Sequence, residues 1–269
     1  MDVFAVKKGQ AKKLTIDYFE NMTKKEYPFY RVNDKDKLLL YAVCPECGNP
    51  IQIINLYGAE MMQKKTRVVK THAKHTGSRM NGFAFWCEED KDNCPLYKPS
   101  PLGNEEVRKN DSYSEELKNL IEVKRRAIYK DIRKIVCMNL SIRILDRIYD
   151  VFMGSGAYGY KAVNKYNIPY AMLRYQQSIS LYGQYIEKSK LGELITEAFN
   201  NRSRYFEVTT SGEIKRKVSD YRTVNMIFTK YRKEGNDQFL QLEIYETFDD
   251  EHRFTIFKID LEIEAFIYD

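Results

Sequence analysis

The chain has no apolar run near the roughly 20 residues that a bilayer-spanning helix needs. Its opening, MDVFAVKKGQ, has no apolar stretch behind a basic one, as a secretory leader would. Together these absences predict a cytoplasmic protein with no membrane partner. Histidine is scarce too, with 3 in 269 residues, which leaves an imidazole-dependent enzyme few groups to use. G-x-S-x-G, H-E-x-x-H and the P-loop are missing, and no acid pair stands in a recognisable catalytic setting. Internal repeats and low-complexity tracts are also absent.

What is present is a globular composition: 43% hydrophobic and 30% charged residues, with 21 Tyr and 14 Phe, which argues against general disorder. The length predicts two or three modules. Five cysteines is an odd count, and without a leader it points to metal binding or free thiols rather than a disulfide framework. Cys137, inside the apolar run KIVCMNL, reads as a core residue, leaving Cys44, Cys47, Cys87 and Cys94. The net charge of +6 hides a gradient: Glu234–Asp269 holds 11 acidic and 2 basic residues, a net of −9, so Met1–Lys233 carries +15. A basic body with an acidic end attracts polyanions or pairs with itself or a partner.

The periodicity changes along the chain. Residues 1–100 hold short apolar runs such as KLLLYAV and GFAFWC between turn residues, which reads as small strands. Residues 101–112, within the Pro/Gly/Asn-rich YKPSPLGNEEVRKNDS, read as a linker. Residues 113–200 are helical: Leu117, Leu120, Ile121, Ile128, Ile132 and Ile135 recur at mostly three- and four-residue spacing along one long helix, with Ser112 and Glu115 as a capping box. A second helix runs from Ser141 to Gly154, and Pro169 opens the first turn of another. Residues 201–269 alternate apolar and polar in TVNMIFTKY, QFLQLEIYETF and FTIFKIDLEIEAFIYD. RKEGND and DDEHR serve as hairpin turns, so this region reads as an antiparallel meander. The expected class is α+β: an N-terminal zinc-ribbon-like β module, a helical middle and a C-terminal antiparallel β meander.

The densest chemistry lies in VCPECGNP. A structural zinc site needs four soft or borderline ligands in a tetrahedron, and Cys44-Pro-Glu-Cys47-Gly has the spacing of one knuckle that supplies two. WCEEDKDNCPLY offers the second pair, Cys87 and Cys94, from a longer loop. His72 or His75, in KTHAKHTGS, is an alternative to Cys87 or Cys94. Both stand among Lys64, Lys65, Arg67, Lys70, Lys74 and Arg79, however, with no acid between Met61 and Cys87, so the preferred reading puts them in a basic loop. Four cysteines close the shell and make the metal a staple rather than a Lewis acid. On CPECG and its distant cysteine pair, Cys44–Cys94 resembles a zinc ribbon carrying an insertion. That resemblance implies nucleic-acid binding or protein contacts.

Three further patterns bear on partners. GSGAYG, Gly154–Gly159, matches G-x-G-x-x-G but follows a helical run instead of a strand, so it reads as a helix end and turn. The segment GYKAVNKYNIPYAMLRYQQS has a helix-turn-helix cadence, in which Arg174, Gln176 and Gln177 would meet base edges; an ordinary helix pair is the competing reading. Between Lys118 and Lys134, seven basic residues face two acidic ones, among them Lys124, Arg125, Arg126 and Lys130, a surface for phosphates or simply a solvated helix face. The sequence therefore predicts a non-enzymatic, zinc-stapled protein binding DNA or RNA through the basic loop and helix. The alternative is an adaptor or inhibitor, of the kind viruses and mobile elements encode, that oligomerises or binds a protein complex. The third reading is a metal-dependent nuclease using His72, His75 and acids such as Glu88, Glu89 or Asp90.

Overall fold

The computed structural model describes residues 1–58, 70–109, 111–217, 222–235, 237–247 and 252–268. Val3–Phe4 (β1) pairs antiparallel with Lys12–Lys13 (β2). Ile16–Thr23 (α1) follows, with the Thr15 hydroxyl accepting from the Tyr18 amide at its first turn, the usual device for an orphan helix donor. Tyr30–Val32 (β3), Leu38–Val43 (β4), Pro50–Ile54 (β5) and His72–His75 (β6) form a four-stranded antiparallel sheet in that order. Period-two patterning turns Leu40, Ala42, Ile51, Ile53 and Ala73 into one core with Phe4 and Phe19, as a half-buried sheet requires. Glu88–Asp92 (α2) then opens with Glu88, Glu89 and Asp90 in its first turn, where the helix dipole favours negative charge.

The middle region contains Asp111–Val123 (α3), Arg125–Val136 (α4), Met138–Asn139 (β7), Ile142–Gly154 (α5), Ile168–Arg174 (α6), Ile179–Ser180 (β8), Tyr185–Ile186 (β9) and Lys190–Arg202 (α7). The single helix expected from Ser112 onward is two. Its hydrogen-bond ladder continues through Lys124, whose amide donates to Leu120 and whose carbonyl accepts from Ile128, but the backbone bends there at ψ 12°. The helix also starts at Asp111, so Ser112 lies inside it rather than at the cap. Cys137 is not a core residue: it takes the left-handed cap of α4, φ 50°, with its half-buried thiol donating to the Lys134 carbonyl at 3.4 Å.

A short hairpin, Phe206–Val208 (β10) with Ile214–Arg216 (β11), precedes the meander. Thr223–Glu234 (β12), Asp237–Thr247 (β13) and Arg253–Glu262 (β14) pair antiparallel, and β8 completes the order β14-β13-β12-β8. Gly235, at φ 62°, makes the first turn; of the second expected turn, Asp249–Arg253, residues 249–251 lie outside the described residues. Helices α3–α7 and this sheet share one core, with Ile128, Ile132, Leu145, Phe152, Phe199, Phe228 and Leu242 all buried in it. Val3, Ala11, Tyr166 and Ala265 pack where the N-terminal sheet, the helices and the C-terminal segment meet. The class is α+β, and among the described residues no helix is long and apolar enough to cross a membrane.

Candidate metal centre

Cys44 follows the end of β4, and Cys47 lies in the turn that leads into β5. The turn closes because the Gly48 amide donates to the Cys44 carbonyl at 3.0 Å and the Cys44 amide to the Asn49 carbonyl at 2.8 Å. Gly48 holds φ 79°, and a Cβ there would stand 3.2 Å from Lys8 Cδ. Gly48→Ala is therefore expected to cost about 1–2 kcal/mol, read as a lower urea midpoint of the metal-loaded chain. A midpoint equal to that of the parent would remove the glycine from the site's construction.

The third donor comes from β6. The β5–β6 ladder sets His75 opposite Ile51, just past the knuckle, and brings its Nε2 to 3.3 Å from Cys47 Sγ. The Tyr97 ring meets the imidazole edge-on, centroids 5.3 Å apart at 74°. The fourth donor, Cys94, follows α2, and its Sγ lies 3.7 Å from Cys44 Sγ, far beyond a disulfide of about 2.05 Å. The ligand atoms of Cys44, Cys47, His75 and Cys94 all lie within 4.8 Å of one another, close enough to bind one metal ion. The three cysteines are buried and His75 is half-buried.

This set corrects two sequence expectations. Cys87 is not in the cluster. It stands at the N-cap position of α2, whereas Cys94 follows the other end of that helix, which rises about 7.5 Å over its length. Its backbone holds the centre instead: buried Asn49 donates to the Cys87 carbonyl at 3.0 Å and accepts from its amide at 2.8 Å. His75 takes the place given to Cys87, so it is no longer simply part of a basic loop. His72 cannot join it, because residues three apart on a strand point to opposite faces; its Nδ1 meets the Lys70 carbonyl at 3.0 Å.

The thiols do not titrate alike. Hydrogen bonds from Cys44 and Cys94, with His75 and Asn49 adding to them, hold Cys47 well below the ordinary thiol range. Cys44 is pushed up by its hydrogen bonds to that thiolate and to Cys94, and by burial. Cys94 is pushed up to about 12: the Cys44 hydrogen bond lowers it, but the Cys47 thiolate and burial outweigh that effect. Three thiols crowded together and buried oppose one another's ionisation, and a cation between them would remove that penalty.

Neighbouring side chains fix the donors. Lys91, on α2, buries its Nζ 5.2 Å from the Trp86 ring centroid and 5.4 Å from that of Tyr97, with Glu88 at 3.4 Å and Asp92 at 3.7 Å. Glu46, between the two knuckle cysteines, pairs with Lys165 at 2.6 Å and accepts from the Tyr166 hydroxyl at 2.6 Å.

The expected nucleic-acid residues are dispersed. Lys64, Lys65 and Arg67 lie outside the described residues. Lys70 is paired with Glu262 and lies 3.9 Å from Asp237, whereas Lys74 and Arg79 are exposed. On α4, Arg125 turns toward Asp146 at 2.6 Å and stacks on Tyr149 at 4.0 Å, Lys124 is half-buried, and Arg126 and Lys130 are exposed. The helix-turn-helix reading fails on burial: Ile168, Pro169, Tyr170, Ala171, Met172 and Leu173 of α6 are all buried, so this helix cannot enter a groove. Arg174 packs its guanidinium against Gly103, Gln176 donates to the Ile148 carbonyl at 3.1 Å, and Gln177 alone of the three is exposed. The glycines of GSGAYG end α5 and turn, with Gly156 at φ 69°, as their helical context predicts. No family model, no curated protein and no solved structure matches the chain.

Proposed function

We propose that the ion is zinc, that it staples the fold, and that the chain is a non-enzymatic nucleic-acid-binding protein. Three sulfurs and one imidazole form a donor set typical of structural zinc. In a zinc tetrahedron with bonds of about 2.3 Å to sulfur and 2.05 Å to nitrogen, adjacent sulfurs stand about 3.8 Å apart and sulfur and nitrogen about 3.6 Å. The 3.7 Å between Cys44 and Cys94 and the 3.3 Å between Cys47 and His75 support that fit. Four protein donors leave no open position for a reacting water, which favours a staple over the nuclease reading.

The observation that carries the binding reading is a row on α4. Arg126, Lys130 and Lys134 recur every fourth residue, all exposed, about 6 Å apart along the axis, with no carboxylate partner among the described residues. Asp131, the only acid of α4, is occupied by the Tyr268 hydroxyl at 2.9 Å. Cations so arranged meet phosphates without reading sequence. Retention of duplex DNA or RNA should fall steeply with salt. Arg126→Glu/Lys130→Glu/Lys134→Glu should flatten the slope of log affinity against log salt by about 3. An unchanged slope, or no retention by the parent, would sink this reading.

A further inference from the structure

A cavity of about 400 Å³ lies where β6, the chain after α2, the loop before α6 and the strands β12 and β13 come together, with His75 and Tyr97 on its wall. Its volume falls in the small-molecule class. Three lysines from three separate segments line it: Lys74 on β6, Lys98 after α2 and Lys233 on β12. All three side chains are exposed, and none has a carboxylate partner among the described residues. Lys98 lies 5.0 Å over the Tyr97 ring. The two carboxylates on the wall are already engaged: Asp2 accepts from the Ala265 amide at 2.9 Å, and Glu264 stands 3.7 Å from Lys13. Asn164 and Gln238 add amide side chains.

Three lysines on the wall of one cavity, with the nearby acids engaged by other partners, make that space favourable for an anion. A single carboxylate carries too little charge to balance three. A phosphate monoester carries about −1.5 to −2 at neutral pH with three acceptor oxygens, and lysine serves phosphate as a point charge where arginine would fork onto a carboxylate. We propose that this cavity binds a phosphate monoester of nucleotide size, with Lys74, Lys98 and Lys233 as its counter-charges and Asn164 and Gln238 as hydrogen-bonding groups. The same chemistry is offered by a free mononucleotide and by the 5′-phosphate end of a nucleic-acid strand. The site uses no residue of the α4 row.

The test is isothermal titration of the metal-loaded full chain with adenosine 5′-monophosphate, adenosine, succinate, and a tetranucleotide with or without its 5′-phosphate. The monophosphate should bind, with adenosine and succinate at least about 30-fold weaker. Lys98→Gln/Lys233→Gln should weaken the monophosphate by a similar factor while metal content and circular dichroism stay at parental values. Lys233→Gln alone, far along the chain from every metal donor, should show part of the same loss and guards against a folding artefact. Preference for the monophosphate over the phosphorylated tetranucleotide identifies a free nucleotide as occupant; the reverse preference, lost with the 5′-hydroxyl form, identifies a strand end. No monophosphate binding at millimolar concentration, equal binding of adenosine or succinate, or unchanged binding by the glutamine variants overturns the proposal. The Arg126→Glu/Lys130→Glu/Lys134→Glu chain should bind the monophosphate as the parent does, so failure of the α4 reading and failure of this one are separable.

Discussion

Chelating the proposed zinc from the purified chain is expected to collapse the order of the N-terminal sheet, because three of the four donors are themselves core residues. Cys44, Cys47 and Cys94 pack with Phe4, Phe19, Ile51 and Ile53, so the centre and the hydrophobic core of that module are one assembly. A structural zinc site contributes on the order of 10 kcal/mol to folding. A whole domain is stable by only about 5–15 kcal/mol, so the loss exceeds what the small apolar core can absorb. Loss of near-ultraviolet dichroism on chelation, restored by one equivalent of zinc, is the expected result, and a chain unchanged by complete metal removal would dismiss the staple. The donors are distinguished by metal content after gel filtration. His75→Ala and Cys47→Ser should lose the ion, whereas Cys87→Ser should keep it. Retention of the ion by His75→Ala together with its loss from Cys87→Ser would restore the four-cysteine set. Because thiolate and imidazole donors must shed protons to bind, metal affinity should fall as pH falls.

Three of this centre's four donors, Cys44, Cys47 and Cys94, were legible in the sequence, and His75 stood there only as an alternative. The Cys44–Cys47 turn is local: two thiols three residues apart, with a glycine at positive φ, carry their geometry in their own spacing. His75 is 28 residues from Cys47, and only strand pairing brings the two together. The signal that could have found it is the alternation in HAKH, which gives Ala73 and His75 a shared face and separates His72 from it. Cys87 misled because CEEDKDNC looked like a loop, while its acidic opening is equally a helix start. The meander was legible since alternation survives in β12–β14, although the bulges between Phe228 and Tyr231 and between Ile244 and Tyr245 leave no mark in composition. The helix-turn-helix cadence failed because IPYAML is apolar all round, the pattern of a buried helix rather than a presented one.

Glu46→Ala is expected to cost about 3 kcal/mol with the metal still bound, since this side chain joins the knuckle to the rest of the molecule. Its carboxylate is 6% exposed and 2.6 Å from Lys165 Nζ, and it accepts from the hydroxyl of Tyr166, a residue 4% exposed. Tyr166 in turn accepts through its carbonyl from the Phe266 amide at 2.9 Å, so one residue links the knuckle, the loop before α6 and the C-terminal segment. Removing the carboxylate leaves a buried hydroxyl without an acceptor and an ammonium without its partner, which is worse than never having had the pair. Tyr166→Phe should cost about 1–2 kcal/mol. The double variant should fall short of the sum, because each single change already breaks the same contact. Urea unfolding at fixed zinc measures all three, and strict additivity, or a Glu46→Ala cost below about 0.5 kcal/mol, would mean that the contact carries little. A pH dependence follows as well. Burial first, then the Glu46 charge, raises the Tyr166 hydroxyl above its ordinary 10.0. The folded state therefore holds a proton that the unfolded chain releases, and this contribution to stability is complete below about pH 10 and lost as pH rises further. The Tyr166→Phe chain should lack that part of the alkaline loss.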